Sequence, residues 1–119
     1  MSNNTRIMFL RNEQYSPCGC LAIRLDRRNH RVSYQYSVLN PKDTFDRQMA
    51  RHLAIGRLIE KPITIPISRA TEINMHVISF EVMAHLAKSD APKRAKNAAN
   101  MWLNTQEYNV DLKLEDDGE

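Results

Sequence analysis

Arg24, Arg27, Arg28, His30 and Arg31 crowd one short stretch of the chain, and Arg47, Arg51 and Arg57 follow, the first two spaced one helical turn apart. Guanidinium groups bind phosphate through paired N–H donors and keep their charge near neutral pH. Tyr34, Tyr36 and Trp102 add aromatic faces of the kind on which nucleotide and single-strand binders stack bases. Arg27, Arg28, Arg31, Arg47, Arg51 and Arg57 are therefore the candidate ligand-binding cations, with Tyr34 or Tyr36 as the stacking partner. The plainer alternative is a solvated basic face with the tyrosines packed on a hairpin.

Other chemistry is poorly represented. Cys18 and Cys20 flank a single glycine, too close for an ordinary disulfide across a strand. No second close pair of ligands accompanies them, so neither a zinc site nor any other metal site is expected. The four histidines are scattered, and no G-x-S-x-G elbow, G-x-G-x-x-G or P-loop occurs. Asp43 and Asp46 stand where a helix begins, and there they serve its cap and dipole more simply than acid–base catalysis. No catalytic residue and no cofactor is assigned.

The charge balance points the same way. The chain has 119 residues with 17 Lys+Arg and 14 Asp+Glu, a net +3. Four of those acids lie in the last five residues, so residues 1–114 carry 17 basic and 10 acidic groups, +7. The division predicts one domain over 1–114 and a disordered acidic tail over 115–119. The tail reads either as a solubilising end or as an intramolecular competitor for anionic ligands. No apolar run reaches the length of a membrane span, and Met1 to Arg6 lack the layout of a signal peptide. The reading is a soluble cytoplasmic protein with reduced thiols.

The elements that must position these groups follow from periodicity. Ile7 to Arg11 alternate in a short strand. Leu21, Ile23 and Leu25, then Val32, Tyr34, Tyr36 and Val38, alternate on either side of Asp26-Arg27-Arg28-Asn29, which predicts a β-hairpin. With Asp43 as N-cap, Phe45, Met49, Leu53 and Gly56 mark the buried face of a helix over 44–59, with Arg47 and Arg51 on its far side and His52 beside the apolar face. Gly56 on that face would let another element pack close. Pro62 and Pro66 make Ile63 to Ile67 an edge or bulged strand. A helix begins near Asn74, with Met75 to Ser79 also readable as strand. A last helix, with Asp90 as N-cap and Pro92 in its first turn, places Ala91, Ala95, Ala98, Ala99, Trp102 and Leu103 on one face and stops near Asn104. Tyr108 to Leu114 alternate as a final strand. The expected fold is α+β: an N-terminal antiparallel hairpin or sheet packed against two or three helices in a single compact domain.

The stretch YSVLNPKDTFDRQMARHLAIGRL, Tyr36 to Leu58, resembles a pattern of small uncharacterised bacteriophage proteins. A strand there ends in a Lys-Asp turn, followed by an aromatic, spaced arginines and a terminal Gly-Arg-Leu. Lys42, Asp43, Phe45, Arg47, Ala50, Arg51, Ala54, Gly56, Arg57 and Leu58 are the matching positions, over about 23 of 119 residues. Ala50 departs from the glycine of the pattern. The strands-then-helices layout is also broadly similar to phage proteins that counter Thoeris defence by sequestering a cyclic ADP-ribose-type signal. That likeness implies a non-enzymatic sponge acting in the host cytoplasm.

Three functions are thus expected from the sequence. The first is a phage-type binding protein that sequesters a phosphate-bearing nucleotide signal or blocks a host protein in anti-defence. The second is a sequence-independent nucleic-acid binder, and the third a small nuclease-like enzyme. A homo-oligomer is compatible with so small a domain, and no membrane partner is expected.

Overall fold

Alternating apolar residues around a four-residue polar loop form the central hairpin. β2 (Pro17–Asp26) and β3 (Arg31–Val38) pair antiparallel from Gly19↔Val38 to Asp26↔Arg31. β1 (Thr5–Arg11) joins the other edge of β2, and β4 (Ile63–Pro66) joins β3. The sheet is therefore antiparallel throughout, in the order β1-β2-β3-β4. β4 sits at the edge, where its proline leaves no ladder bond unmet in the interior. The computed structural model describes residues 4–40, 42–68 and 74–117, with side chains as far as residue 106. Three helices complete it: α1 (Arg47–Glu60), α2 (Met75–Lys88) and α3 (Lys93–Asp117).

Side chains alternate across a strand, so the sheet has two faces with different partners. Leu21, Ile23, Leu25, Val32 and Tyr34 turn towards α2 and α3 and form the main core with Ile78, Val82, Leu86 and the alanines of α3. Cys20 and Ala22 point the other way and pack with Ala50, Ala54 and Leu58 of α1. Helices thus cover both faces, and the α+β architecture follows from a sheet that is apolar on each side. Among the described residues no helix is long and apolar enough to cross a membrane.

α1 departs from the periodicity reading. Asp46, not Asp43, caps it, accepting from the Met49 N–H at 3.2 Å. Its buried stripe is Ala50, Ala54 and Leu58, while Met49 and Leu53 are 51% and 37% exposed. The floor explains the choice: Cys20, Ala22 and Ser37 are small, and alanines facing them let helix and sheet approach closely. The Ser37 hydroxyl even donates to the Ala50 carbonyl at 2.7 Å. A methionine–leucine stripe would hold the helix away. Gly56, on the outer side, has nothing within 4 Å of where a Cβ would stand, so it serves no close packing. His52 is exposed for the same reason.

α2 begins as the sequence implies, with the Asn74 side chain accepting from Val77 N–H at 2.9 Å. α3 starts at Lys93, so Asp90 lies too early to cap it, and the Pro92 carbonyl accepts from Ala95 and Lys96 instead. It does not stop near Asn104. No glycine or proline intervenes between Pro92 and Gly118, so nothing breaks it, and the backbone expected as a strand over 108–114 is helical. The acidic segment is helical as far as Asp117, while the last two residues lie outside the described part.

Candidate functional site

α1 covers only part of its face of the sheet. Beneath it lie the cross-strand rows Phe9–Cys20–Ser37 and Ile7–Ala22–Gln35. The next row on the same face is Thr5–Arg24–Ser33–Thr64, followed by Asp26–Arg31–Pro66. Arg24 and Arg31 are exposed there, and the Ser33 and Thr64 hydroxyls meet at 3.0 Å. Arg27 and Arg28 stand in the loop just beyond. Among the described residues, the end of the hairpin is a polar, basic sheet surface with no helix over it.

Local bonds hold that end in shape. The Asp26 carboxylate accepts from the Asn29 backbone at 3.2 Å and from its side-chain amide at 2.8 Å. The Asn29 side chain, then its backbone and the Arg31 charge, keep the Asp26 carboxyl below its ordinary value. His30 has φ 51, a left-handed conformation that histidine adopts more readily than bulky residues. Its carbonyl accepts from Ile67 N–H at 2.8 Å, and Arg27 Nε donates to Asn4 Oδ1 at 3.0 Å. Asp26 is the one acid between Arg24 and Tyr34, so the positive charge of four arginines prevails.

The remaining candidates lie elsewhere. The Arg47 guanidinium sits over the Phe9 ring, 5.1 Å from its centre. Arg51 is close enough to Cys20 for its charge to act on the thiol. Arg57 Nη1 donates to the Tyr36 carbonyl at 2.9 Å, satisfying β3 where β4 no longer pairs with it. Phe9 opposes Cys20, which lies four residues along β2 from Arg24 and six from Asp26, roughly 13 and 20 Å at ~3.3 Å per residue. The eight predicted residues are therefore not one site.

The tyrosines also belong to the fold. Tyr34 is wholly buried, with its hydroxyl 2.7 Å from His85 Nδ1, and in this fold it offers no face to a base. Tyr36 is half-buried against the main core, on the face opposite α1. Both follow the parity of Val32 and Val38, which already points inward.

Cys18 packs in the main core and Cys20 in the smaller one, so the two thiols share no site. Burial pushes Cys20 up to about 11, with the Arg51 charge opposing, and raises Cys18 against Arg94. Neither is a ready nucleophile. Among the described residues no three His, Cys, Asp or Glu side chains gather closely enough to hold a metal ion.

A cleft of about 350 Å³ opens at the other end of the sheet, between β1 and α3, where Met8, Met83, Met101 and Trp102 meet. A second, of about 280 Å³, adjoins it near Cys18 and Arg94. Sequence reading missed both, because their walls come from distant segments with no local spacing. Neither cleft includes an arginine of the hairpin end.

No family model matches the chain, and no curated protein or solved structure is significantly similar to it.

Proposed function

We propose that the protein is a non-enzymatic binder of nucleic-acid backbones, taking phosphates on the uncovered hairpin end of its sheet. The observation that carries this reading is the grouping of Arg24, Arg27, Arg28 and Arg31 beside the Ser33 and Thr64 hydroxyls, outside the reach of α1. Arginine, serine and threonine are the usual donors to phosphate oxygens.

The shape of the surface favours a polymer over a single nucleotide. Small-ligand sites are concave, whereas these arginines stand on an open sheet surface and a loop, outside both clefts. A polyanion gains from several phosphates met in succession and needs no enclosing wall. With Tyr34 buried and Tyr36 on the opposite face, base stacking contributes little. Contact is then to the backbone and independent of sequence.

The test is fluorescence anisotropy of a labelled short duplex, and of its single strand, over a range of salt. Each phosphate neutralised on duplex contributes about −0.9 to the slope of log affinity against log salt, so four arginines set a slope of roughly −3 to −4. A flat response on both probes overturns the proposal. Tight binding of a mononucleotide with little salt dependence would instead favour the sequestering function.

A further inference from the structure

The cleft between β1 and α3 has an apolar floor and a polar rim. Met8 and Leu10 of β1, Met83 of α2, and Met101 and Trp102 of α3 form the floor. Arg11, Tyr15 and Thr105 stand at the rim, and among the described residues no carboxylate lines it. We propose that this cleft binds an apolar monocarboxylate of the medium-chain fatty-acid class, its chain against the methionines and Trp102 and its carboxylate on Arg11.

Size and lining both fit such a ligand. About 350 Å³ lies at the small end of the ~300–1,000 Å³ range of small-molecule sites. Thioether side chains are flexible and polarisable, and they mould to a chain without fixed shape. Phe80 braces the Trp102 ring edge-on at 5.0 Å, so one wall is rigid while the methionines adapt.

The rim supplies the charge. Arg11 Nη1 donates to the Tyr15 carbonyl at 2.9 Å, which orients the guanidinium and engages only one of its five N–H donors. The others match a carboxylate, and among the described residues no acid lining the cleft competes for them.

Tyr15 is the second indication. It has φ 61, an unusual conformation for a bulky residue, and it is 60% exposed. The turn imposes that conformation: Tyr15 N–H donates to the Asn12 carbonyl at 2.9 Å, and Asn12 Oδ1 accepts from Gln14 and Ser16. Glycine or asparagine would meet the turn's demand with less strain. What tyrosine adds is a ring at the cleft mouth, its hydroxyl 3.4 Å from Thr105 Oγ1 of α3. So long a contact is weak, and the ring can swing aside to admit a ligand and close over its chain.

This site is independent of the basic hairpin end. Leu10 pairs with Gly19, seven residues along β2 from Asp26, or roughly 20 Å at ~3.3 Å per residue. Failure at one site leaves the other standing.

Trp102 is the chain's only tryptophan, so its fluorescence reports the cleft directly. The full chain is titrated with decanoate below its micellar range, with decanol and decyltrimethylammonium as neutral and cationic controls. Calorimetry runs in parallel to fix stoichiometry. The expected result is saturable binding of one decanoate per chain. Decanol and the Arg11→Gln variant with decanoate should each be weaker by about tenfold or more, as loss of a charge-assisted bond implies. Tyr15→Gly should retain the fold and release decanoate faster. Absence of saturable binding by both methods overturns the site. Equal binding of decanoate and decanol, unaffected by Arg11→Gln, overturns the carboxylate assignment.

Discussion

The Tyr34 hydroxyl lies 2.7 Å from His85 Nδ1 and ties the centre of the sheet to α2. The two rings meet nearly edge-on, 5.6 Å apart. Burial pushes the Tyr34 hydroxyl up to about 12, so it keeps its proton and donates when His85 carries its own on Nε2. Tyr34→Phe removes this bond without opening a cavity. It should lower stability by about 1 kcal/mol in urea unfolding. Affinity for a nucleic-acid probe should not change, because the ring is sealed in the core.

Two glycines should respond to alanine with opposite sign. Gly19 faces Val38 in the β2–β3 ladder, and a Cβ there would collide with the Ser37 carbonyl oxygen. That atom is backbone and cannot step aside without parting the strands. Gly19→Ala should cost about 1–3 kcal/mol, as overpacking does. Gly56 lies within α1 with open space around it. Gly56→Ala should therefore gain up to about 1 kcal/mol from helix propensity. Melting curves of the two variants suffice to check both signs.

The strands were legible because their alternation runs between clear turn residues, as at Asp26 to Asn29. The sides chosen by Tyr34 and Tyr36 were legible too, since they share parity with Val32 and Val38. The face of α1 was not. Met49 and Leu53 make the more apolar stripe, yet the small floor of Cys20, Ala22 and Ser37 selects Ala50 and Ala54. That selection depends on which elements meet, which local periodicity does not encode. The same holds for the candidate site: four arginines of the hairpin are neighbours in sequence, but their exposure depends on where α1 ends its cover. The cleft joins Met8, Tyr15, Met83 and Trp102 from three separate regions, and no spacing announces it.

The packing of α1 is open to direct test. Ala54 is wholly buried against the sheet, whereas Leu53 is 37% exposed. Ala54→Leu should destabilise by about 1–3 kcal/mol because no room exists beneath the helix. Leu53→Lys should stay within about 0.5 kcal/mol, as for most surface changes. If the two effects were reversed in urea unfolding, the methionine–leucine stripe would be the buried face.

Alkaline stability should report the buried thiol. Cys20 is raised from its ordinary 9.0 to about 11 by burial, against the opposing Arg51 charge. Above pH 9.0 the unfolded chain releases a proton that the folded chain keeps, so stability falls as pH rises towards about 11. One such group sets a slope of at most about 1.4 kcal/mol per pH unit. Below pH 9.0 it contributes no slope. Cys20→Ala should make this limb shallower in urea unfolding but not flat, because Cys18, raised likewise from 9.0, and Tyr34, from pH 10.0 upward, still contribute.

Neutralising arginines in pairs distinguishes the hairpin end from α1. Arg24 and Arg28 stand on the uncovered sheet end and its loop, while Arg47 sits over Phe9 and Arg51 acts on Cys20. If the hairpin end meets the phosphates, Arg24→Gln with Arg28→Gln should remove about two units from the salt slope on duplex, one phosphate for each arginine. Arg47→Gln with Arg51→Gln should leave that slope nearly unchanged. Anisotropy at several salt concentrations measures both pairs. A slope lost through the α1 pair instead would move the phosphate contacts to the helix-covered region and reject the hairpin end as the interface.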